Sequence, residues 1–282
     1  MYIGDYLGRR ELYSPEQEAF VDFGTDPVLR LTYREANARA NRLANFYQSR
    51  GIDFLDRVAI LARDGVEHLD NFFACSKFGA IHTALNWRLH WRENLEIIRQ
   101  TAPRALIVSG EYLEEAEKIW NELSQEENPL EIVLTTEDQG SIEALDYHQT
   151  LSESCADPVT DSRIEQETIA ALIFTGGTTG LPKAAQISHR MIAWNTLNTV
   201  IHDIRHDDVY SNVFPLFHTG GLFVYTLPQV IFGGTTILVP RFDPQLVLEL
   251  IEKETVTVFA GVPTMYQMMT QAENWDQADL SS

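Results

Sequence analysis

Basic side chains are scarce in this sequence. Among its 282 residues, 21 lysines and arginines stand against 41 aspartates and glutamates, which gives a formal net charge of −20. Surfaces that bind nucleic acid need clustered lysine and arginine, and the sequence contains no such cluster. The charge balance therefore argues against nucleic acid as a partner.

Cysteine is rarer still. Cys75 and Cys155 lie far apart and in no metal-binding spacing, which argues against a disulfide framework and predicts a reducing cytoplasm. Cys75 falls within a helical pattern, where a small core residue is expected rather than a nucleophile. The first thirteen residues lack the apolar core of a signal peptide.

Long apolar runs are also missing. The stretch 220–239 comes nearest to the roughly 20 unbroken residues of a transmembrane helix, but Pro228 and the pair Gly233 and Gly234 interrupt it. A buried helix followed by a β-strand is predicted there instead. With 44% hydrophobic and 22% charged residues, the composition is typical of a globular protein with one large or two modest domains.

Helical and strand patterns alternate along the chain. Thr32 and Glu35 form the pattern of a capping box before a helix that runs to Gly51. Short apolar segments between helical stretches are typical of buried strands, as at 58–62, 105–108, 132–135 and 169–174. This alternation predicts an α/β fold with mostly parallel strands and crossover helices.

The nine residues TGGTTGLPK, from Thr175 to Lys183, are the most specific motif. Glycines let backbone N–H groups turn toward an anion, threonine hydroxyls add donors, and Lys183 adds a positive charge, which suits a polyphosphate. A Walker A loop is excluded because Pro182 precedes the lysine and Ala184 follows it, which removes the Mg²⁺-binding hydroxyl. A plain surface turn is the alternative, but predicted strands on both sides favour a phosphate loop.

With its flanks, the motif reads LIFTGGTTGLPKAAQISHR (172–190) and resembles the phosphate-binding signature of the AMP-forming adenylating enzymes. Three further segments resemble the acyl-CoA synthetase branch of that family, in the same order: ALNWRL (84–89), PLFHTGG (215–221) and GVPTMYQMM (261–269). The likeness spans nearly the whole chain. Gly176 departs from the family pattern, which more often has serine there, so one hydroxyl is lost while the backbone donors remain.

The resemblance implies the N-terminal part of the family's large domain, with two interleaved, mostly parallel sheets flanked by helices. The polar stretch 152–167 is then either a border between approximate sub-units 1–165 and 166–282 or a connection between exchanged segments. The family's adenine-binding segment, metal-binding acid and catalytic lysine would lie beyond Ser282. We therefore expect residues 1–282 alone to be an inactive fragment with an association-prone sheet edge.

The activity implied by the resemblance has two steps. A carboxylic acid reacts with ATP, accompanied by Mg²⁺, to give an acyl-adenylate, and the thiol of coenzyme A then displaces AMP. The implied phosphate-binding residues are Thr175, Gly176, Gly177, Thr178, Thr179, Gly180 and Lys183. The implied acyl and coenzyme A pocket contains His218, Thr219, Gly220, Gly261, Pro263 and Thr264. For His218 we expect a positional or gating role, and no metal ligand is assigned in this chain.

ATP and coenzyme A are polyanions, so in an acidic chain their sites must be locally basic. After Lys183, the candidates are Arg88, Arg92 and Arg190. The apolar segment 222–232 predicts a fatty or aromatic acid, with a medium or long acyl chain as the first choice. Alternatives are an adenylation domain that loads a carrier protein, a luciferase-like oxygenase and a non-catalytic nucleotide- or acyl-binding module. Oligomerisation stays open.

Overall fold

The computed structural model describes residues 3–125, 130–137, 142–175 and 182–282. Its strands are β1 (Glu18–Asp22), β2 (Leu29–Thr32), β3 (Arg57–Leu61), β4 (Ile81–Ala84), β5 (Ala105–Val108), β6 (Ile132–Thr135), β7 (Leu145–Asp146), β8 (Ile169–Thr175), β9 (Lys183–Ser188), β10 (Val209–Asn212), β11 (Thr235–Leu238) and β12 (Val258–Phe259). Its α-helices are α1 (Tyr6–Glu11), α2 (Tyr33–Ser49), α3 (Val66–Phe78), α4 (Trp91–Thr101), α5 (Leu113–Leu123), α6 (Tyr147–Glu153), α7 (His189–Thr199), α8 (Leu227–Phe232), α9 (Pro244–Lys253) and α10 (Pro263–Thr270). Within these ranges, every helix is too short or too polar to span a bilayer.

The first compact unit contains Met1–Tyr6, Asn37–Arg63 and Glu67–Met191. Its seven-stranded sheet has the order β7-β6-β5-β3-β4-β8-β9. All neighbouring strands run parallel except β9, which is antiparallel to β8. The carboxyl ends of β3, β4, β5 and β8 therefore lie along one edge of this sheet.

The second compact unit contains Leu7–Ala36, Asp64–Val66 and Ile192–Ser282. Its five-stranded sheet has the order β12-β10-β11-β1-β2, parallel except for the antiparallel pair of β1 and β2. Each unit is built from three separated ranges, so the predicted interleaving and the mostly parallel sheets are confirmed. The stretch 152–167 lies inside the first unit, and the approximate division at 165/166 stays a prediction.

Local capping explains where two of the helices begin. The predicted capping box before α2 is confirmed: Glu35 Oε2 accepts the N–H of Thr32 at 2.8 Å, and Thr32 Oγ1 accepts the N–H of Glu35 at 3.2 Å. Asp243 Oδ1 accepts two N–H groups of the first turn of α9, at 2.9 and 3.1 Å, and Pro244 is the first helical residue. Each cap satisfies N–H groups that a helix leaves unpaired at its start.

The core of the first unit forms where α4 and α5 pack on β3, β5 and β6, with buried leucine, isoleucine and valine side chains on both layers. A buried polar network lies in the same unit. Asp70 accepts hydrogen bonds from Arg39 at 2.6 Å and from Tyr147 at 2.7 Å, joining α2, α3 and α6. Removing one partner of such a pair typically costs about 3–5 kcal/mol, because the remaining charge stays buried.

The predicted elements agree with the structure to within a few residues, with some differences in helix type. The predicted helix 221–232 divides into a π-helical segment, Gly220–Thr226, followed by α8. Together with β11 it accounts for the apolar stretch 220–239, so the prediction of a helix and a strand there is confirmed. The helix α5 follows directly on the 3-10 turn Gly110–Tyr112. The elements α1, β1, β2, β7 and α6 were not predicted.

Three fully buried histidines, His68, His82 and His189, are held neutral in the first unit, because burial lowers the pKa of each ring. His68 Nε2 lies 3.1 Å from the carbonyl oxygen of Ala62, and burial lowers the pKa of His68 to about 4. His189 Nδ1 lies 2.9 Å from the hydroxyl of Tyr6, and burial lowers the pKa of His189 to about 4. Protonation of any of these rings would place an uncompensated charge in the core.

We predict that acid destabilises the chain through His68. Its folded pKa lies below the value near 6.5 expected in the unfolded chain, so the unfolded state takes up the proton first. Above about pH 6.5, the neutral His68 contributes about 3 kcal/mol to the free energy of unfolding. This contribution is lost as pH falls toward 4.

His68→Gln keeps a donor for Ala62 without a titrating ring. Urea unfolding midpoints at pH 7 and pH 4.5 should therefore differ less in this variant than in the wild type. His206→Gln, at a side chain that is 76% exposed, is the matched control and should keep the wild-type difference. An unchanged pH dependence in His68→Gln would contradict the assignment.

Candidate functional site

The strands β8 and β9 bracket the predicted phosphate loop. Thr175, the last residue of β8, is in register with Lys183, the first of β9, and Thr175 Oγ1 donates to the carbonyl oxygen of Lys183 at 3.3 Å. Both side chains are exposed, and no described carboxylate pairs with Lys183. The strand pair therefore presents a hydroxyl and an ammonium group at the two ends of the loop.

The central residues of the motif, Gly176, Gly177, Thr178, Thr179 and Gly180, lie outside the described residues. Their assignment to phosphate stays a prediction. What the structure establishes is the frame around them: two strands whose paired ends meet at the carboxyl edge of the seven-stranded sheet. In open α/β sheets this edge is where ligands bind.

The strands beside β8 carry an arginine and tryptophan cluster to the same edge. Because β8 pairs with β4 and β4 with β3, the carboxyl ends of these strands are neighbours. The guanidinium carbons of Arg88 and Arg63 lie 4.7 and 5.3 Å from the ring centroid of Trp87. Arg63 also forms an ion pair with Glu111. Arg88 is exposed, so the half-buried indole holds a guanidinium group at the surface.

The other two candidate arginines differ from each other. Arg92 lies 4.7 Å from the ring centroid of Trp91 and is exposed. Arg190 forms an ion pair with Glu167 at 2.5 Å, which partly compensates its charge. Trp87 and Trp91 are each half-buried with an arginine on the ring, rather than a fully buried aromatic pair. Of the three arginines, Arg88 and Arg92 are therefore better placed to meet an anion.

The predicted acyl-pocket residues lie together in the second unit. His218, Thr219 and Gly220 follow β10, whereas the turn 261–264 follows β12. Because β10 and β12 are parallel neighbours, both turns leave the same edge of the five-stranded sheet. Spacing in sequence gave no hint of this pairing, because more than 40 residues separate the two turns.

The His218 ring is fixed by its own turn. The N–H of Gly220 donates to His218 Nδ1 at 3.0 Å. An N–H group only donates, so the neutral ring carries its proton on Nε2 and offers a donor on that side. Thr219 occupies the N-cap position of the π-helical segment, but its side chain makes no capping bond. The ring of His218, rather than the side chain of Thr219, therefore accepts an N–H group at the start of this segment.

Two buried polar side chains form hydrogen bonds with the backbone of this turn. Asp64 Oδ1 accepts the N–H of Leu216 at 2.6 Å, and Asn212 Oδ1 accepts the N–H of Phe214 at 3.0 Å. Sequence reasoning missed both residues, since isolated polar residues beside strands carry no pattern. Their burial distinguishes them: 6% of Asp64 and 2% of Asn212 is exposed. Leaving such buried polar groups without a hydrogen bond would lower the stability of the fold, so their bonds fix the backbone that carries His218.

The second turn leads directly into α10. Pro263 is the first residue of α10 and, like Thr264, is exposed. A Cβ atom on Gly261 would lie 3.3 Å from both Phe259 and Tyr266, whose rings pack edge to face at 5.5 Å. An apolar cleft of about 270 Å³ lies beside these two rings. The turn thus borders an aromatic surface, although Pro263 and Thr264 are outside the cleft lining.

Gly221 allows the close approach on which the His218 turn depends. A Cβ atom at this position would lie 2.2 Å from the carbonyl oxygen of Pro215, whereas on Gly220 its nearest contact is the His218 ring at 3.3 Å. We predict that Gly221→Ala destabilises the chain by about 1–3 kcal/mol or more, since backbone atoms must shift. Gly220→Ala is the matched control and should cost less. Equal losses in urea unfolding would contradict this account.

Comparison with known proteins agrees with the geometry. The family model described as "AMP-binding enzyme" matches residues 9–282. A feruloyl-CoA synthase of Amycolatopsis sp is 33% identical over 281 residues, covering 99% of this chain and 52% of that protein. An indoleacetate–CoA ligase of Aromatoleum aromaticum is 31% identical over 257 residues, covering 91% of this chain and 49% of that protein. The chain thus spans about half the length of these curated relatives.

A solved structure shares the fold. The inhibitor-bound N-terminal domain of FACL13 from Mycobacterium tuberculosis superposes with a TM-score of 0.85 at 26% identity, covering 99% of this chain and 67% of that one. The paired strands around the TGGTTGLPK motif, the interleaved sheets and the matched relatives lead to one conclusion. The chain belongs to the AMP-binding enzyme family and is similar to its CoA ligases.

Proposed function

We propose that this chain contributes the phosphate-binding and acyl-binding surfaces of an AMP-forming acid–thiol ligase. In the first step a carboxylate oxygen of the acid attacks the α-phosphorus of ATP, and pyrophosphate leaves with the electron pair of the broken P–O bond. In the second step the sulfur of coenzyme A attacks the acyl carbon, the thiol proton is released, and AMP leaves. The product is a thioester.

The observation that carries the proposal is the paired frame of the loop. The register of Thr175 with Lys183 holds a hydroxyl and an ammonium group at its two ends. Negative charge accumulates on the departing pyrophosphate, and preorganised donors stabilise it without having to reorient. Thr178, Thr179 and the glycine N–H groups would add further donors, as the family motif implies. Charge-assisted bonds of this kind are stronger than neutral ones.

Coenzyme A is the acceptor we favour over a carrier protein. Arg88 and Arg92 are exposed, rest on tryptophan rings and follow a strand that neighbours β8. A guanidinium fork suits the phosphate groups of a nucleotide, and an aromatic face suits its base. A carrier protein would instead need a protein-sized recognition surface. Both matched relatives are named for coenzyme A products.

For the acid we propose an aromatic carboxylate. The predicted acyl turn borders the Phe259 and Tyr266 rings, and Tyr225 packs on Tyr210 with centroids 5.3 Å apart. Flat aromatic walls favour offset or edge-to-face contacts with an aryl substrate. Relatives above 30% identity are named for ferulate and indoleacetate, and one of Thermus thermophilus, at 31% identity, is named for long-chain fatty acids. The aromatic rings beside the turn are therefore our reason for preferring an aryl acid to the medium or long fatty acid that the sequence favoured.

Mg²⁺ would accompany ATP and help to neutralise its phosphates. The described ranges contain no group of three or more histidine, cysteine, aspartate or glutamate side chains able to hold a metal, so we assign the ion no residue of this chain.

Cys75 and Cys155 are both free thiols, which supports the proposal of a reducing cytoplasm.

Lys183→Ala and Thr179→Val should slow adenylation in the complete gene product more than they weaken acid binding. Losing a charged hydrogen bond to the leaving pyrophosphate costs about 1.5–3 kcal/mol, or roughly 10- to 100-fold in rate. ATP–pyrophosphate exchange measures the rate, and equilibrium titration measures acid binding. Lys253→Ala, at an exposed lysine paired with Glu249, is the matched control. Full exchange activity in both test variants would refute the loop assignment.

An acid panel tests the substrate class. We expect ATP–pyrophosphate exchange with aryl acids such as ferulate or indoleacetate to exceed that with medium- and long-chain fatty acids and with charged amino acids, because a buried charge needs a partner. A preference for fatty acids would overturn the aromatic proposal and leave the reaction type standing. Exchange with amino acids alone would overturn the apolar-acid proposal altogether.

A further inference from the structure

The π-helical segment Gly220–Thr226 has a wider turn than the helix α8 that continues it. The N–H of Leu227 donates to the carbonyl oxygen of Leu222, five residues earlier, whereas an α-helix pairs residues four apart. Helical turns of this kind are rare, mostly short and frequent at functional sites. This one covers seven residues and directly follows the turn that carries His218.

Pro228 gives a physical reason for the wide turn. It is the second residue of α8 and so lies inside a helical run that begins at Gly220. In an α-helix, the proline ring clashes with the carbonyl group four residues earlier, which here is that of Val224. Hydrogen bonds between residues five apart avoid this clash. We call this pattern the π register and the ordinary pattern of four the α register.

A side chain takes the place of the N–H group that Pro228 lacks. The π register would pair the carbonyl group of Phe223 with the N–H of residue 228, and proline has none to donate. Asn195 Nδ2 donates to the Phe223 carbonyl oxygen at 2.7 Å. The amide of Asn195 thus compensates for the proline, which keeps the wide turn from leaving a costly unsatisfied group.

Two buried side chains also donate to the carbonyl group of Gly221. Thr226 Oγ1 donates to this oxygen at 2.6 Å, and Asn212 Nδ2 donates to it at 3.3 Å. Thr226 lies five residues after Gly221, so its hydroxyl bond has the spacing of the π register. The segment is therefore stabilised by side chains in the register that Pro228 favours.

The register determines where the Tyr225 ring lies. This half-buried ring packs on Tyr210 with centroids 5.3 Å apart, and its hydroxyl lies 3.1 Å from His202 Nδ1. Successive residues of an α-helix are about 100° apart around the axis, so a slip of one residue would turn Tyr225 by about 100°. The ring would then lose its contact with Tyr210.

We propose that Pro228 is a positioning residue for the acid and acts through Tyr225. By disfavouring the α register, Pro228 keeps the Tyr225 ring in place as a wall for the aryl group of the acid. Pro228 is itself buried and acts through the backbone. The inference rests on the proposed function, because it takes Tyr225 to face an aryl acid.

Hydroxyl-radical footprinting of the 282-residue chain, read by mass spectrometry, tests the register. Pro228→Ala restores an N–H group and removes the clash, so the segment can close to the α register and labelling of Tyr225 should rise several-fold. Pro244→Ala is the matched control, because Pro244 is the first residue of α9 and has no helical turn before it. Tyr13, which is 79% exposed, should be labelled equally in all samples, and Tyr33, 0% exposed, should stay unlabelled in an intact fold.

ATP–pyrophosphate exchange by the complete gene product tests the role in acid binding. A partly populated α register lowers the fraction of protein that can bind, so Pro228→Ala should raise the KM for ferulate by about 3- to 10-fold. Bound ferulate selects the π register, so kcat should stay unchanged. The KM for palmitate should change less, since its chain offers no ring to the Tyr225 wall. Pro244→Ala should change neither constant.

Unchanged labelling of Tyr225 in Pro228→Ala would overturn the role of the proline in the register. Increased labelling with an unchanged KM for ferulate, or with a loss confined to kcat, would overturn the positioning role. The footprinting needs neither ATP nor an acid, so its outcome is independent of the proposed reaction. Absence of exchange with every acid in the wild type would overturn the proposed function and the assignment of Tyr225 to the acid together.

Discussion

The parallel pairing of β4 with β8 is the constraint on which the proposed phosphate site depends. The pair brings together two segments that are far apart in sequence, Trp87 with Arg88 after β4 and Thr175 at the end of β8. Both carry donors or positive charge in a chain of net charge −20. Parallel strands end at a common edge, so a shift in this pairing would separate Thr175 from the arginines. The local basicity that a polyphosphate requires is thus a property of the sheet rather than of any one segment.

The turn that carries His218 is held in place in a different way. Its backbone is fixed by buried side chains, chiefly Asp64 and Asn212, which accept the N–H groups of Leu216 and Phe214. His218 is fixed in turn by a backbone N–H group rather than by a carboxylate. A ring held in this way keeps one tautomer and one orientation, which suits a residue that positions a substrate. It does not suit a base that must accept a proton at Nε2, where the neutral ring already carries one.

Sequence patterns predicted most of the fold because they report local physics. Alternating apolar segments identified β3, β5 and β8, and the Thr32–Glu35 box identified the start of α2. By contrast, β1 was missed because Glu18–Asp22 begins and ends with an acidic residue and its parallel partner β11 lies more than 200 residues away. The tautomer of His218 was equally inaccessible, since it depends on where the N–H of Gly220 points. The frame of the phosphate loop was predictable because both strands flank it directly.

The stacking of Arg88 and Arg63 on Trp87 has an optical consequence. Indole fluorescence responds to charges near the ring, and here two guanidinium groups lie within 5.3 Å of one of only five tryptophans in the chain. An anion that draws Arg88 off the ring changes the field at that indole. Trp87 is therefore a built-in spectroscopic reporter for this edge of the sheet, readable without any attached dye.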